Sequence, residues 1–126
     1  MPTPLAAATL EVSLAGVSGL DAKATRKAYC RLALKQPHRV RFLKSAELTI
    51  GEDGSCRFNE VLTFDDVAVP AGIAAAEGKL VIDVWGRGDA PDPTLIGKQV
   101  VPLNALHSAT SIQLISGSLE LKATLQ

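Results

Sequence analysis

The sequence has 126 residues, with 13 Lys+Arg against 13 Asp+Glu, 47% apolar residues and five aromatic side chains. A chain of this length forms one domain rather than two, and it buries roughly 65 to 70% of its unfolded surface, enough for a core without disulfide or metal staples. It holds no apolar run of the roughly 18 residues that a membrane span needs, and its Met1-Pro2-Thr3-Pro4 opening lacks the basic start of a signal peptide. Residues 1–126 are therefore expected to be a single domain, either starting at its own first strand or cut from a larger protein.

In chain order the pattern is strand-like nearly throughout. Leu10, Val12 and Leu14 alternate with Glu11, Ser13 and Ala15, a period of two that turns one face to a core and the other to water. Residues 16–27 hold two glycines among polar and basic residues and read as a loop. Cys30, Leu32 and Leu34 then alternate with Arg31, Ala33 and Lys35, the turn Gln36-Pro37-His38 follows, and Val40 and Phe42 alternate with Arg39 and Arg41. Glu52-Asp53-Gly54 marks a turn before a fourth, more buried strand through Phe58, Val61, Leu62 and Phe64, and residues 73–77 have the makings of one helical turn. Residues 80–85 form the most consistently apolar strand, residues 86–93 are a loop rich in Gly, Pro and Asp, and residues 96–103, 111–115 and 118–125 supply three more strands. Eight short strands and no long helix predict an all-β fold, an eight-stranded antiparallel β-sandwich.

Zero net charge hides a segregated distribution. Residues 21–44 carry eight basic side chains (Lys23, Arg26, Lys27, Arg31, Lys35, Arg39, Arg41, Lys44) against Asp21 alone, and residues 45–95 carry ten acidic ones against Arg57, Lys79 and Arg87. Such poles favour an anionic partner, or self-association of oppositely charged halves, or are solvated strand faces. Cys30 and Cys56 lie 26 apart with no metal-ligand spacing, the pattern of reduced thiols in an intracellular protein.

The order of motifs resembles the C2 domain. Gly19-Leu20 closes the first strand and Tyr29 opens the second. Phe58-Asn59-Glu60 is followed by Val61 to Phe64, and Ile82-Asp83-Val84-Trp85 leads on to Ile96-Gly97, so the match runs over residues 9–125. That resemblance implies a C2-like Greek key, and the full strand after residue 118 is similar to the arrangement of phospholipase-C-type C2 domains, where the extra strand is C-terminal. It also implies a calcium site, built in C2 domains from about five aspartates in two loops, because calcium takes roughly six to eight oxygens. Here Asp21 keeps one such position, but Lys27, Gly86, Gly88 and Thr94 fall on the others, with Asp89 and Asp92 left as shifted candidates. The reading is a calcium-independent C2 domain with no metal and no cofactor.

The loop tips offer polar, basic, Gly, Pro and Asp residues rather than the large apolar ones that dip into a bilayer. What remains is a basic group on the second and third strands, Lys35, Arg39, Arg41 and Lys44, extended by Arg31 and His38, in the region where some C2 domains carry a lysine-rich patch for phosphoinositide headgroups. Each such cation near an anionic surface contributes about 1 kcal/mol. Arg39 and Arg41 share a strand face, and with Val40 and Phe42 on the opposite face the pleat predicts that the arginines are the exposed pair. His38 and His107 have no ligand spacing, no nucleophile elbow or phosphate loop occurs, and the chain lacks the aromatics of a nucleic-acid stacking platform. The expected function is a non-catalytic scaffolding and targeting module that binds a protein partner, the resemblance suggesting a cytoskeletal, centriolar or ciliary context. The alternative is a peripheral membrane adaptor for anionic phospholipid.

Overall fold

The structure is a computed structural model, and it describes residues 7–70, 72, 75–105, 109–113 and 117–126, the side chains of 109–113 excepted. His107 lies outside the described residues, as does part of the expected helical turn at 73–77. Among the described residues nine strands follow in chain order: β1 (Ala7–Ser18), β2 (Lys27–Gln36), β3 (Arg39–Lys44), β4 (Leu48–Thr49), β5 (Cys56–Ala68), β6 (Lys79–Arg87), β7 (Thr94–Pro102), β8 (Ala109–Gln113) and β9 (Ser118–Leu125). A short 3-10 turn, Leu103–Ala105, links β7 to β8. Eight of these are the expected strands. The ninth, β4, is a two-residue edge segment paired with Lys27 and Ala28, too short to leave a periodic signal.

All pairings are antiparallel and form two sheets, ordered β5-β1-β9-β8 and β3-β2-β6-β7, with β4 beside β2. The C-terminal strand β9 thus sits next to β1 inside the first sheet. Between the sheets lies one core, filled by Leu10, Val12 and Leu14 of β1, Cys30, Leu32 and Leu34 of β2, Leu80, Ile82 and Val84 of β6, and Leu119, Leu121 and Ala123 of β9. Every one of these follows the period-two alternation, so the hydrophobic pattern alone fixes the face of each strand.

Two strands depart from the expectation. β5 is not buried throughout: Phe58, Phe64 and Val67 face the core while Val61 is 54% exposed, and the left-handed conformation of Asn59 and Asp66 breaks the simple alternation. β3 inverts its predicted faces. Leu43 is the residue that packs against the core, opposite Leu32, so Arg41 and Arg39 share the inward side and Val40 and Phe42 point outward, 53% and 52% exposed.

Glycine is needed where loops close on each other. Gly54 has φ +79° and receives the Leu20 amide on its carbonyl at 3.0 Å, and a Cβ there would collide with the Leu20 carbonyl oxygen. The turn after β4 is thereby held against the start of the loop between β1 and β2.

Candidate interaction surface

The register between strands arranges the outer face of the β3-β2-β6-β7 sheet in rows. One row is Val40, Lys35, Lys79 and Pro102; the next is Phe42, Ala33, Val81 and Val100; the third is Lys44, Arg31, Asp83 and Lys98; the fourth is Tyr29, Trp85 and Leu95. Cationic and apolar rows therefore alternate along the strands. Ala33 and Val81 are 6% and 4% exposed yet belong to no part of the central core, because they lie under the flanking Phe42 and Val100, the latter 44% exposed. The half-exposed Trp85 is paired with Tyr29 on this same face and not in the core.

Aromatic rings hold the cations in place. The Arg31 guanidinium stands 4.5 Å from the Phe42 ring centroid and the Lys44 ammonium 4.2 Å from that of Tyr29, so both charges lie over apolar surface while remaining exposed. Asp83 is the one acid in these four rows, directly across from Arg31 and Lys98, and its Oδ1 is buried without a hydrogen-bond partner. At the end of the face Arg87 donates to Glu47 at 2.8 Å and to the Pro91 carbonyl at 2.6 Å. The Arg87 hydrogen bond holds the Glu47 carboxyl below its usual range, helped by the charges of Arg87, Lys27 and Lys44.

Of the five basic residues expected to form the site, the structure brings together Arg31, Lys35 and Lys44. Arg41 and Arg39 fall on the opposite face of β3. Arg41 turns inward at the sandwich edge, where its guanidinium donates to the backbone carbonyls of Asp65 and Asp66 and lies 5.6 Å from the Phe64 centroid. Burial at this edge and the neighbouring Arg39 charge lower its pKa. Gln36 on the same side donates to the Ala68 and Glu77 carbonyls at 3.0 and 3.2 Å. These two side chains stitch β3 and β2 to the opposite sheet. Sequence reasoning missed Lys79 and Lys98, which lie far along the chain in stretches whose net charge is not basic; only strand register shows that they join the same face.

The loop end of the sandwich contains a cleft of about 350 Å³ lined by Leu20, Ala24, Thr25, Gly86, Gly88 and Ile96, with Thr94 and a single carboxylate, Asp21. Asp21 Oδ1 accepts the Lys23 amide at 3.0 Å. Asp89 pairs with Arg26 at 3.2 Å across the two loops, and the Arg26 amide donates to the Arg87 carbonyl at 2.9 Å. Among the described residues no group of three or more His, Cys, Asp or Glu side chains comes together. The cleft lining carries one carboxylate, Asp21, against the roughly six to eight oxygens that calcium takes, and in the second loop Asp89 is paired with Arg26.

Both cysteines are free thiols. Cys30 is fully buried in the core, and desolvation, with lesser contributions from Cys56 and Glu60, pushes its thiol up to about 12. Among the described residues no helix is long and apolar enough to cross a membrane.

No protein-family model matches the sequence, and no curated protein matches it. Solved structures do. A structure of CC2D1B aligns over 98% of this chain with a TM-score of 0.69 and 20% identity, this chain spanning 57% of that one. A C2 domain of plant extended synaptotagmin 1 aligns over 98% of this chain and 97% of its own, with a TM-score of 0.68 and 13% identity. The phospholipase PLC21 of S. officinalis aligns over all of this chain and 16% of its own, with a TM-score of 0.70 and 14% identity. The chain has the C2-domain fold.

Proposed function

We propose that this C2-fold domain is a calcium-independent, non-catalytic docking module that recruits a protein partner, with the outer face of the β3-β2-β6-β7 sheet as its contact surface. One observation carries this reading. Half-exposed Val40, Phe42 and Val100 stand on a regular sheet face between Arg31, Lys35, Lys44, Lys79 and Lys98, a combination of apolar surface and held cations that suits a protein interface. Calcium independence rests on the Arg26–Asp89 pair and on the single carboxylate lining the loop cleft.

The five cations also favour a second reading, a reversible membrane adaptor, at about 1 kcal/mol each against an anionic leaflet. Co-sedimentation with neutral and phosphoinositide-containing liposomes, each with calcium and with chelator, separates the two. Lipid binding that needs anionic headgroups and is lost in the Lys79→Glu/Lys98→Glu variant would replace the protein-docking reading by the membrane one. Calcium-dependent binding would overturn calcium independence.

A further inference from the structure

The row spacing on the outer sheet face goes further than its charge, and it deepens the docking reading on which it rests. Successive rows are two residues apart on β2, β3 and β6, about 6.6 to 6.8 Å, and a register shift makes the last step on β7 three residues, from Lys98 to Leu95. In order they are cationic at the centre (Lys35 and Lys79, flanked by Val40 and Pro102), apolar (Phe42, Ala33, Val81, Val100), net cationic (Lys44, Arg31 and Lys98 with Asp83) and apolar (Tyr29, Trp85, Leu95). An occupant lying along the strands must therefore present acid, apolar, acid and apolar groups at that repeat.

Two backbone forms can be compared with this ruler. One face of an extended chain repeats every second residue, again about 6.6 to 6.8 Å, and stays in register over all three intervals, about 20 Å. A helix repeats every turn, about 5.4 Å, and over three turns falls about 4 Å short, more than half a row. An extended segment also keeps its N–H and C=O groups at the open sides of the contact, where water reaches them. Five exposed cations against the single acid Asp83 fix the sign of the partner's charge.

We infer that the partner of this face is an extended acidic protein segment in which Asp or Glu alternates with a large apolar residue at every second position, laid along β2 and β6. Its carboxylates meet Lys35 and Lys79 at one end and Arg31, Lys44 and Lys98 in the middle, and its apolar side chains rest on the exposed Phe42 and Val100 and on Trp85 and Leu95.

The test is titration calorimetry of the full chain with three synthetic twelve-residue peptides of equal composition. One alternates three Glu and three Leu at residues 1, 3, 5, 7, 9 and 11, an extended face, with Ser and Thr on the other; one places the same Glu and Leu at residues 1, 4, 5, 8, 9 and 12, a helical face; and one clusters the Glu and the Leu separately. Backbone amide shifts map the site. The extended-face peptide is expected to bind best, to shift Ala33, Val81 and Asp83, to weaken at 1 M salt, and to lose about tenfold in affinity in Lys79→Glu/Lys98→Glu, whose exposed positions leave the circular dichroism spectrum unchanged. Equal binding of the three peptides overturns the inference, and so does absence of peptide binding. Shifts on this face from phosphoinositide vesicles but not from any peptide overturn the inference while leaving the face as the docking surface. Peptide shifts confined to the other sheet overturn both.

Discussion

Replacing Arg41 by Ala distinguishes a structural arginine from a docking one. Its guanidinium bridges β3 to the carbonyls of Asp65 and Asp66 and lies over Phe64. Hydrogen bonds from a charged donor contribute about 1.5 to 3 kcal/mol each when well shielded. Here the acceptors belong to exposed residues that water re-solvates after truncation, so the lower end applies to the pair together, about 1.5 kcal/mol. Unfolding entropy of about 2.1 cal/mol/K per residue gives roughly 0.26 kcal/mol/K for this chain, so Tm should fall by about 6 °C. Arg41→Lys, which keeps the charge but not the fork, should recover less than half of that. Thermal unfolding followed by circular dichroism measures both, with partner or vesicle binding of the same variants alongside. A Tm within 1 °C or so of the parent, together with a loss of binding, would refute the assignment and return Arg41 to the contact surface.

Other outcomes follow from the same geometry. Because folding raises the Cys30 thiol from 9.0 to about 12, the folded state holds a proton that the unfolded state releases. Its contribution to stability is complete below pH 9 and is lost as pH rises toward 12, with a slope approaching 1.4 kcal/mol per unit; denaturant titrations of the parent minus Cys30→Ala should show that slope, and a flat difference would contradict it. Alkylation at pH 8 or so should reach the half-buried Cys56 first and Cys30 only on unfolding, as mass spectrometry of pulse-labelled protein would show. Gly54→Ala should lose about 2 kcal/mol or more, since it combines left-handed strain with a collision at the Leu20 carbonyl, and an unchanged denaturant midpoint would mean that the two loops do not meet there. Millimolar calcium should leave Tm unchanged, whereas a rise abolished by Asp21→Asn or Asp89→Asn would show that the loops collect the ion after all.

The sandwich was legible because each of its central strands turns a period-two row of apolar residues to the core. In β1 and β9 the alternation of Leu and Val with polar residues states both the strand and the buried face, while β2 and β6 also bury Tyr29, Ala33 and Val81 on the outer face and show their core side through Cys30, Leu32 and Leu34 and through Leu80, Ile82 and Val84. The strand motifs, from Gly19-Leu20 to Ile96-Gly97, also fall in the C2 order that the fold displays. The candidate site was legible only in part. Arg31, Lys35 and Lys44 were found because β2 has an unambiguous parity and the basic run is local.

Edge strand β3 shows what sequence alone leaves open. Val40, Phe42 and Leu43 are all apolar, so its six residues contain no single alternation, and parity was assigned to the larger apolar pair. Pairing with β2 decides otherwise: Leu43 stands opposite the core residue Leu32, and a one-residue step reverses every side chain. Phe42 is then free to cover Ala33, and Arg41 to reach carbonyls on the other sheet.

By itself, then, the sequence determined the strand content, the core and the absence of a full carboxylate set at the loops, since these depend on local period and residue type. Only tertiary structure decided which charges act together. Lys79 and Lys98 lie in chain segments unrelated to the basic run, and they join Arg31, Lys35 and Lys44 because antiparallel register sets side chains of four strands side by side at about 5 Å, a proximity that no local pattern encodes.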